Sequence, residues 1–136
     1  MTQYSSLAGL YDCLTDNVPY EEYAAQIERL FRRYRQKPSI VLELACGTGS
    51  LTRLLAQRGY EMIAADISPD MLTVAREKCG DLPVPPVFIC QDMCELDLYG
   101  TVQAAVCCLD SINYLTDRRQ LRRAFSRVSL FLEQGG

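Results

Sequence analysis

The feature that most constrains this sequence is an apolar segment that leads directly into two closely spaced glycines. Residues 39–45 are almost continuously apolar and partly β-branched, a pattern typical of a strand that is buried on both faces. Gly47 and Gly49 follow at once, and a short helical pattern begins after them. Glycine lets the backbone turn sharply and lets a ligand approach the peptide closely. The segment therefore predicts a strand, a tight turn and a helix, and it makes the turn a candidate binding site.

Helical and strand patterns alternate along the rest of the chain. Helices are predicted after Pro19, after Gly49, and at the capping residues Ser68 and Thr116. Further strands are predicted at residues 61–67, 87–90 and 102–109. Because such alternation favours parallel pairing with right-handed crossovers, the sequence predicts a doubly wound parallel α/β sheet.

The last predicted helix carries an apolar stripe and a row of arginines. The stripe consists of Leu121, Phe125, Val128 and Leu132. The arginines between positions 118 and 127 alternate with this stripe, so a solvated face is the favoured interpretation. A fold of this kind is expected to continue into another strand after the last helix. Without that strand, the fourth strand is expected to be an exposed edge of the sheet. An exposed edge favours self-association.

Composition excludes several kinds of chemistry and partner. The 136 residues suffice for one compact domain, and the net charge of −3 argues against nucleic acid as a partner. The sequence has no histidine, which excludes a Ser-His-Asp triad and a His-ligated metal. Its seven cysteines include no C-x-x-C pair, so reduced thiols and no metal site are expected. With neither a secretory signal nor an apolar run of ~20 residues, the expectation is a cytoplasmic protein without a membrane span.

A carboxylate follows the second predicted strand. Asp66 lies 19 residues after Gly47, close to the ~20-residue spacing of an acid that binds a ribose. Its carboxylate can accept hydrogen bonds from both ribose hydroxyls. A dinucleotide site would require a third glycine at the position of Thr52, and Glu43 just before the turn would resist a pyrophosphate. These residues favour an adenosine ligand that carries an ammonium group, and they disfavour an NAD-dependent oxidoreductase.

Several segments, taken in order, resemble motifs of class I S-adenosylmethionine-dependent methyltransferases. VLELACGTG at 41–49 is similar to motif I, with Ala45 in place of its first glycine, and AADISPDML at 64–72 is similar to the segment that holds the ribose. QDM at 91–93 resembles the acid-plus-hydrophobe pair that meets the adenine, and 109–115 resembles the segment that faces the sulfonium. Residues 10–23 resemble the N-terminal helices of bacterial small-molecule methyltransferases, including amino-sugar N-methyltransferases.

The resemblance implies a fold and a domain division. The fold is a Rossmann-like sheet of strand order 3-2-1-4, and family members continue past Gly136 into three further strands. We therefore expect cap helices at residues 1–37 and an S-adenosylmethionine-binding core at 38–136 that is incomplete at its C-terminus.

The resemblance also implies a reaction and a set of site residues. The reaction is transfer of a methyl group from S-adenosylmethionine to a nitrogen or oxygen of a small-molecule acceptor by in-line displacement. The candidate cofactor-binding residues are Glu43, Ala45, Gly47, Gly49, Asp66, Ile67, Met71, Asp92, Met93, Leu109 and Tyr11. Asp110 is the candidate catalytic base, needed only if the acceptor does not arrive deprotonated. The alternative from another class is a domain that binds the cofactor without turnover.

Overall fold

The computed structural model describes residues 19–107 and 118–136. The helices are α1 (Tyr20–Arg33), α2 (Ser50–Gln57), α3 (Pro69–Cys79) and α4 (Arg118–Phe131). They alternate with the strands β1 (Ile40–Leu44), β2 (Glu61–Asp66), β3 (Val87–Cys90) and β4 (Ala104–Cys107), and a 3-10 turn (Met93–Glu95) follows β3. All strand pairs are parallel, in the order β3-β2-β1-β4. The expected Rossmann-like fold class and strand order are confirmed.

Strand β1 lies inside the sheet and is covered on both faces. Val41 belongs to one cluster, with residues of α1 and α2 packed around it. Leu42 and Leu44 belong to a second cluster, against which α4 packs. Both faces of β1 are therefore apolar, which explains why its sequence shows no polar alternation.

Helix α3 begins as its sequence predicts. The Ser68 hydroxyl accepts a hydrogen bond from the Met71 amide at 3.3 Å, and Pro69 occupies the first helical turn. A hydroxyl at this position satisfies an amide that has no partner within the helix. The cap fixes the point at which the chain turns from the end of β2 into α3.

Of the four residues predicted to form the apolar stripe of α4, two pack against the core and two are exposed. Val128 and Leu132 pack against the second core cluster, but Phe131 shares that contact and Ala124 is the buried residue of the helix. Phe125 is 62% exposed and Leu121 is also exposed. The described residues pack α4 mainly against the 3-10 turn after β3, so the part of its apolar stripe that faces neither this turn nor the second core cluster stays exposed.

Beside β4 the described residues place no further strand, and β4 pairs with β1 alone. Just before β4, the backbone of Val102 points away from β1 and forms a single parallel bridge with Leu132, the residue after α4. The amide of Val102 donates to the carbonyl of Phe131 at 2.8 Å. The end of α4 is thus held against the start of the edge strand.

The described cysteines are all free thiols: Cys46, Cys79, Cys90, Cys94 and Cys107. Burial raises the pKa of the Cys46, Cys79 and Cys94 thiols. In residues 19–107 and 118–136, no three His, Cys, Asp or Glu side chains are grouped so that they could hold a metal ion. Among the helices of these two ranges, none has the length and apolar character needed to cross a membrane.

Candidate functional site

The glycine turn and the carboxylate after β2 meet at the carboxyl edge of the sheet. The amide of Gly47 donates to Asp66 Oδ2 at 2.8 Å. Strands β1 and β2 are parallel neighbours, so their carboxyl ends lie at the same edge, and Leu44 is level with Ala65. Two segments that the sequence separates by 19 residues thus form a single site.

Asp66 forms hydrogen bonds that order the loops around this site, and its carboxylate also faces the site. Its Oδ1 accepts from the Ser68 amide at 2.9 Å, and its backbone carbonyl accepts from the Gln91 amide at 3.0 Å. A carboxylate has about four lone-pair sites, so the two hydrogen bonds to Gly47 and Ser68 leave acceptor capacity on each oxygen. Asp66 can therefore order the turn and still accept hydrogen bonds from the hydroxyls of a ligand.

The turn after β1 is wound through left-handed backbone conformations. Ala45 has a φ of 54°, Gly47 of 59° and Gly49 of 83°. Left-handed geometry at a non-glycine residue is uncommon, and it is tolerated where the surrounding structure enforces it. At Ala45 the neighbouring Cys46 amide is held by the carbonyl of Ala65 at 3.0 Å.

Gly49 has a packing reason to be glycine. A Cβ built on Gly49 would lie 2.9 Å from the Cβ of Ala75 on α3, closer than real side chains approach. Lys78, one turn further along α3, donates to the hydroxyls of Thr48 at 3.3 Å and Ser50 at 3.0 Å. Helix α3 therefore packs directly on the turn, and Gly49 permits that contact.

Glu43 is the buried acid of the site. It is only 4% exposed, and its Oε1 accepts from the hydroxyl of Thr52, also buried, at 2.6 Å. The pKa of Glu43 is raised to about 7, chiefly by burial; the hydrogen bond from Thr52 lowers it in part, and the charge of Asp66 adds a smaller rise. The carboxyl of Glu43 therefore changes charge near neutral pH, within two residues of the turn.

The remaining described candidates lie around Asp66 in different environments. Ile67, directly after Asp66, is 59% exposed, whereas Met71 is buried beside the cap of α3. Asp92 is exposed and caps the 3-10 turn through a 2.9 Å hydrogen bond from the Cys94 amide. Met93 packs against the second core cluster. The bond between Gln91 and Asp66 brings this loop to the same edge as the turn.

Three predicted site residues, Tyr11, Leu109 and Asp110, lie outside the described residues. Two residues of the site were missed by the sequence analysis. In the sequence Thr52 marks only a departure from glycine, although a buried acid such as Glu43 requires a hydrogen-bond donor and the hydroxyl of Thr52 follows it by nine residues. Lys78 gave no signal, because its contact with the turn depends on how α3 crosses it.

The residues present fit an adenosine ligand with a cationic end. Asp66 retains acceptor capacity for hydroxyls, and the exposed Ile67 beside it offers an apolar surface for a flat ring. Glu43 supplies a carboxyl that a nearby cation would favour in its charged form. The strand order also reverses at β1, the point at which α/β sheets bind ligands. Fold and site together define a Rossmann-like α/β protein with a candidate nucleoside site.

Comparison with known proteins places the chain in a family. The methyltransferase domain family matches residues 41–136, from the start of the buried part of β1 to the last residue. A crystal structure of an S-adenosylmethionine-dependent methyltransferase from Clostridium acetobutylicum superposes with a TM-score of 0.85 and 32% identity, covering 99% of this chain and 55% of that one. The chain therefore belongs to the methyltransferase domain family and has the class I S-adenosylmethionine-dependent methyltransferase fold.

Two curated relatives extend the comparison. A protein of Geobacillus sp. (strain WCH70), named as a methyltransferase, is 32% identical over 134 residues, which cover 98% of this chain and 54% of the relative. The dTDP-3-amino-3,6-dideoxy-alpha-D-glucopyranose N,N-dimethyltransferase of Streptomyces fradiae is 32% identical over 125 residues, covering 90% of this chain and 48% of that enzyme. The chain spans about half the length of the curated relatives it matches.

Proposed function

We propose that this chain is the cofactor-binding part of an S-adenosylmethionine-dependent methyltransferase whose acceptor is a nitrogen or oxygen nucleophile of a small molecule. The observation that carries the proposal is the 2.8 Å hydrogen bond between the Gly47 amide and Asp66, which makes one site from two strand ends. Membership of the methyltransferase domain family supports the cofactor. The Streptomyces relative, which acts on an amino sugar, supports a small-molecule acceptor.

Each side chain of the site has a proposed part in holding the cofactor. Asp66 accepts from the ribose hydroxyls, Ile67, Asp92 and Met93 surround the adenine, and Glu43 favours the ammonium end. Ala45, Gly47 and Gly49 keep the backbone of the turn close to the ligand. Met71 supports this surface from beneath, and Leu109 and Tyr11 complete the methionine end.

The proposed reaction requires little from the protein beyond the alignment of its two reactants. S-adenosylmethionine, when bound, would supply an electrophilic methyl carbon: a bond from the acceptor nucleophile would form in line as the carbon–sulfur bond breaks, and S-adenosylhomocysteine would leave. Fixed alignment of two reactants can contribute about 7–11 kcal/mol to lowering a barrier. Asp110 removes a proton from the acceptor where one must be lost. A sequence without histidine suits such a reaction, since no covalent intermediate on the enzyme is required.

The proposal includes the organisation of the chain. Residues 1–37 form cap helices, and residues 38–136 form the cofactor-binding core. Strand β4, which the described residues leave unpaired on one side, provides an edge for self-association.

Calorimetric titration tests the ligand class directly. S-adenosylmethionine and S-adenosylhomocysteine are expected to bind, and NAD is expected not to bind. The chain is used as it stands, and transfer to an acceptor is not required for the readout. Binding of NAD in preference to the two adenosyl ligands would overturn the proposal.

Replacement of the central carboxylate tests the site. We expect Asp66→Ala to weaken S-adenosylhomocysteine binding by about 1.5–3 kcal/mol, or about 10–100-fold, because charge-assisted hydrogen bonds to the ribose are lost. Asp97→Ala removes an exposed carboxylate on the loop after the 3-10 turn and serves as the control.

A ligand lacking both ribose hydroxyls separates direct contact from loop disorder, because Asp66 also holds Gly47 and Ser68. If Asp66 binds the hydroxyls, the variant loses affinity for S-adenosylhomocysteine but binds the 2′,3′-dideoxy analogue as the parent protein does. Equal losses for both ligands would remove Asp66 from the ribose contact.

A further inference from the structure

Helix α4 has an unusual concentration of positive charge. Five of the chain's 14 basic residues lie between positions 118 and 127, and the helix contains no acidic residue. The five are Arg118, Arg119, Arg122, Arg123 and Arg127. Like charges three or four positions apart destabilise a helix, so this spacing is unfavourable for α4 itself. The chain as a whole has a net charge of −3, which makes the cluster a local feature.

Part of this cluster lines an open groove along the helix. We use the term arginine face for the residues that line it: Arg119, Arg122, Arg123, Ser126, Arg127 and Leu130. Their spacing of three and four positions places them along one side of the helix. The groove is open and has a volume of about 580 Å³. Core contacts of α4 come from Val128 and Phe131, so the arginine face is distinct from the face that packs on the sheet.

Two guanidiniums of the arginine face are fixed by the neighbouring loop. Arg123 Nε donates to the carbonyl of Cys94 at 2.8 Å, and its Nη2 donates to Glu95 at 2.9 Å. Arg127 Nε donates to the carbonyl of Leu96 at 2.8 Å, and its guanidinium lies 5.8 Å from the Phe131 ring centre. A guanidinium has five N–H donors, so these bonds fix its position and leave donors for another acceptor. Such preorganisation reduces the entropy lost on binding.

The length of the arginine face indicates the size of its ligand. At 1.5 Å per residue, Arg119 and Arg127 are about 12 Å apart along the axis. A phosphate or diphosphate group could reach only one end of such a row. An anionic ligand that contacts the whole row must itself present negative charges at intervals of about 5 Å, one helical turn.

An acidic helix satisfies this spacing. Carboxylates at positions i and i+4 of a helix repeat at the pitch of the arginines opposite them. Leu130, 63% exposed at one end of the groove, adds an apolar contact, and arginine together with apolar side chains is typical of protein interfaces. A nucleic-acid duplex would extend past the groove and meet a chain whose isoelectric point is about 4.9.

We propose that the arginine face of α4 is a docking surface for an acidic helix of a partner protein. The surface is separate from the candidate cofactor site, and the proposal does not depend on methyl transfer. Arg119 and Arg122, both exposed, pair with carboxylates of the partner, and Arg123 and Arg127 fix its position along the groove.

Binding of a designed peptide tests the proposal. The probe is a fluorescein-labelled helical peptide of about 18 residues with glutamates along one face and a leucine at its end. Anisotropy is measured with the full chain, beside a peptide of the same composition with its glutamates spread over all faces. We expect the first peptide to bind at least about tenfold more tightly, and to weaken as salt rises from about 50 to about 300 mM.

The double variant R119E/R122E is expected to lose at least about tenfold in affinity for the peptide. The control is R29E/R33E, which makes the same change of net charge at two exposed positions of α1. Circular dichroism and S-adenosylhomocysteine titration check that both variants are folded. Equal losses in the two variants would overturn the proposal, as would equal binding of the two peptides. Tighter binding to an RNA duplex or to anionic vesicles than to the peptide would also overturn it.

Discussion

At the scale of single residues, the buried acid before the glycine turn dominates the electrostatics. The pKa of Glu43 is raised from 4.5 to about 7, chiefly by burial. The folded protein therefore keeps a proton on Glu43 that the unfolded chain loses near its ordinary pKa. Since the folded state binds more protons between pH 4.5 and 7, its stability falls as pH rises through that window.

We expect the free energy of unfolding to fall by about 3 kcal/mol between pH 4.5 and 8, because each unit of pKa shift is worth about 1.36 kcal/mol. Glu43→Gln cannot ionise, so the fall is expected to be absent in that variant. The measurement is urea unfolding at a series of pH values, with the curve of each variant subtracted from that of the parent to remove other titrating groups.

Two further variants sharpen this measurement. Thr52→Val removes the hydrogen bond that lowers the pKa of Glu43, so the fall should move to higher pH. Glu22→Gln removes an exposed carboxylate of α1 and should leave the fall in place. Parallel pH curves for the parent and Glu43→Gln would show that the buried acid does not govern the pH dependence.

At the scale of elements, the contact between α3 and the glycine turn is the one that positions the site. Gly49→Ala places a Cβ 2.9 Å from that of Ala75, at a residue whose φ is +83°. We expect a cost of about 1–2 kcal/mol from the left-handed backbone and a further 1–3 kcal/mol, roughly, from overpacking. Chemical denaturation measures the sum.

A matched glycine separates the two costs. Gly59 has a φ of +100° and nothing within 4 Å of an added Cβ, so Gly59→Ala should show the backbone cost alone. Ala75→Gly removes the atom that the new Cβ would meet. It should therefore lower the free energy of unfolding less in the Gly49→Ala background than in the parent. Additive effects of Gly49→Ala and Ala75→Gly would mean that the two residues do not meet.

Sequence patterns predicted the elements and the meeting of Gly47 with Asp66, because parallel neighbouring strands end at one edge whatever the details of packing. They did not predict the bond from Thr52 to Glu43 or the contacts of Lys78, which depend on the angle at which helices cross the turn. The stripe of α4 failed at Phe125 for a related reason. Periodicity identifies an apolar face, but the elements packed against the helix, here mainly the 3-10 turn after β3, decide how much of that face is buried.

At the scale of the whole molecule, we expect association through the side of β4 away from β1, which no strand of the described residues covers and which is called its free side. Gln103 donates its amide to the carbonyl of Ile40 at 3.0 Å, on the side of β1. Because alternate residues of a strand direct their backbone groups to opposite sides, Ala105 faces β1 and Val106 faces the free side. Backbone donors and acceptors on that side can pair with a second copy of the chain.

We therefore expect the mass of the chain, measured by sedimentation velocity, to rise with concentration. Val106→Pro removes an amide on the free side and should yield a folded monomer, because no bond of the β1–β4 pair is lost. Ala105→Pro removes an amide that bonds to β1 and should destabilise the fold by about 1–3 kcal/mol, because a buried carbonyl of β1 loses its donor. A parent chain that stays monomeric at every concentration would contradict association through this edge, and association unchanged by Val106→Pro would assign it to another surface. The exposed apolar side chains of α4, Leu121 and Phe125, form the surface to which it would then be assigned.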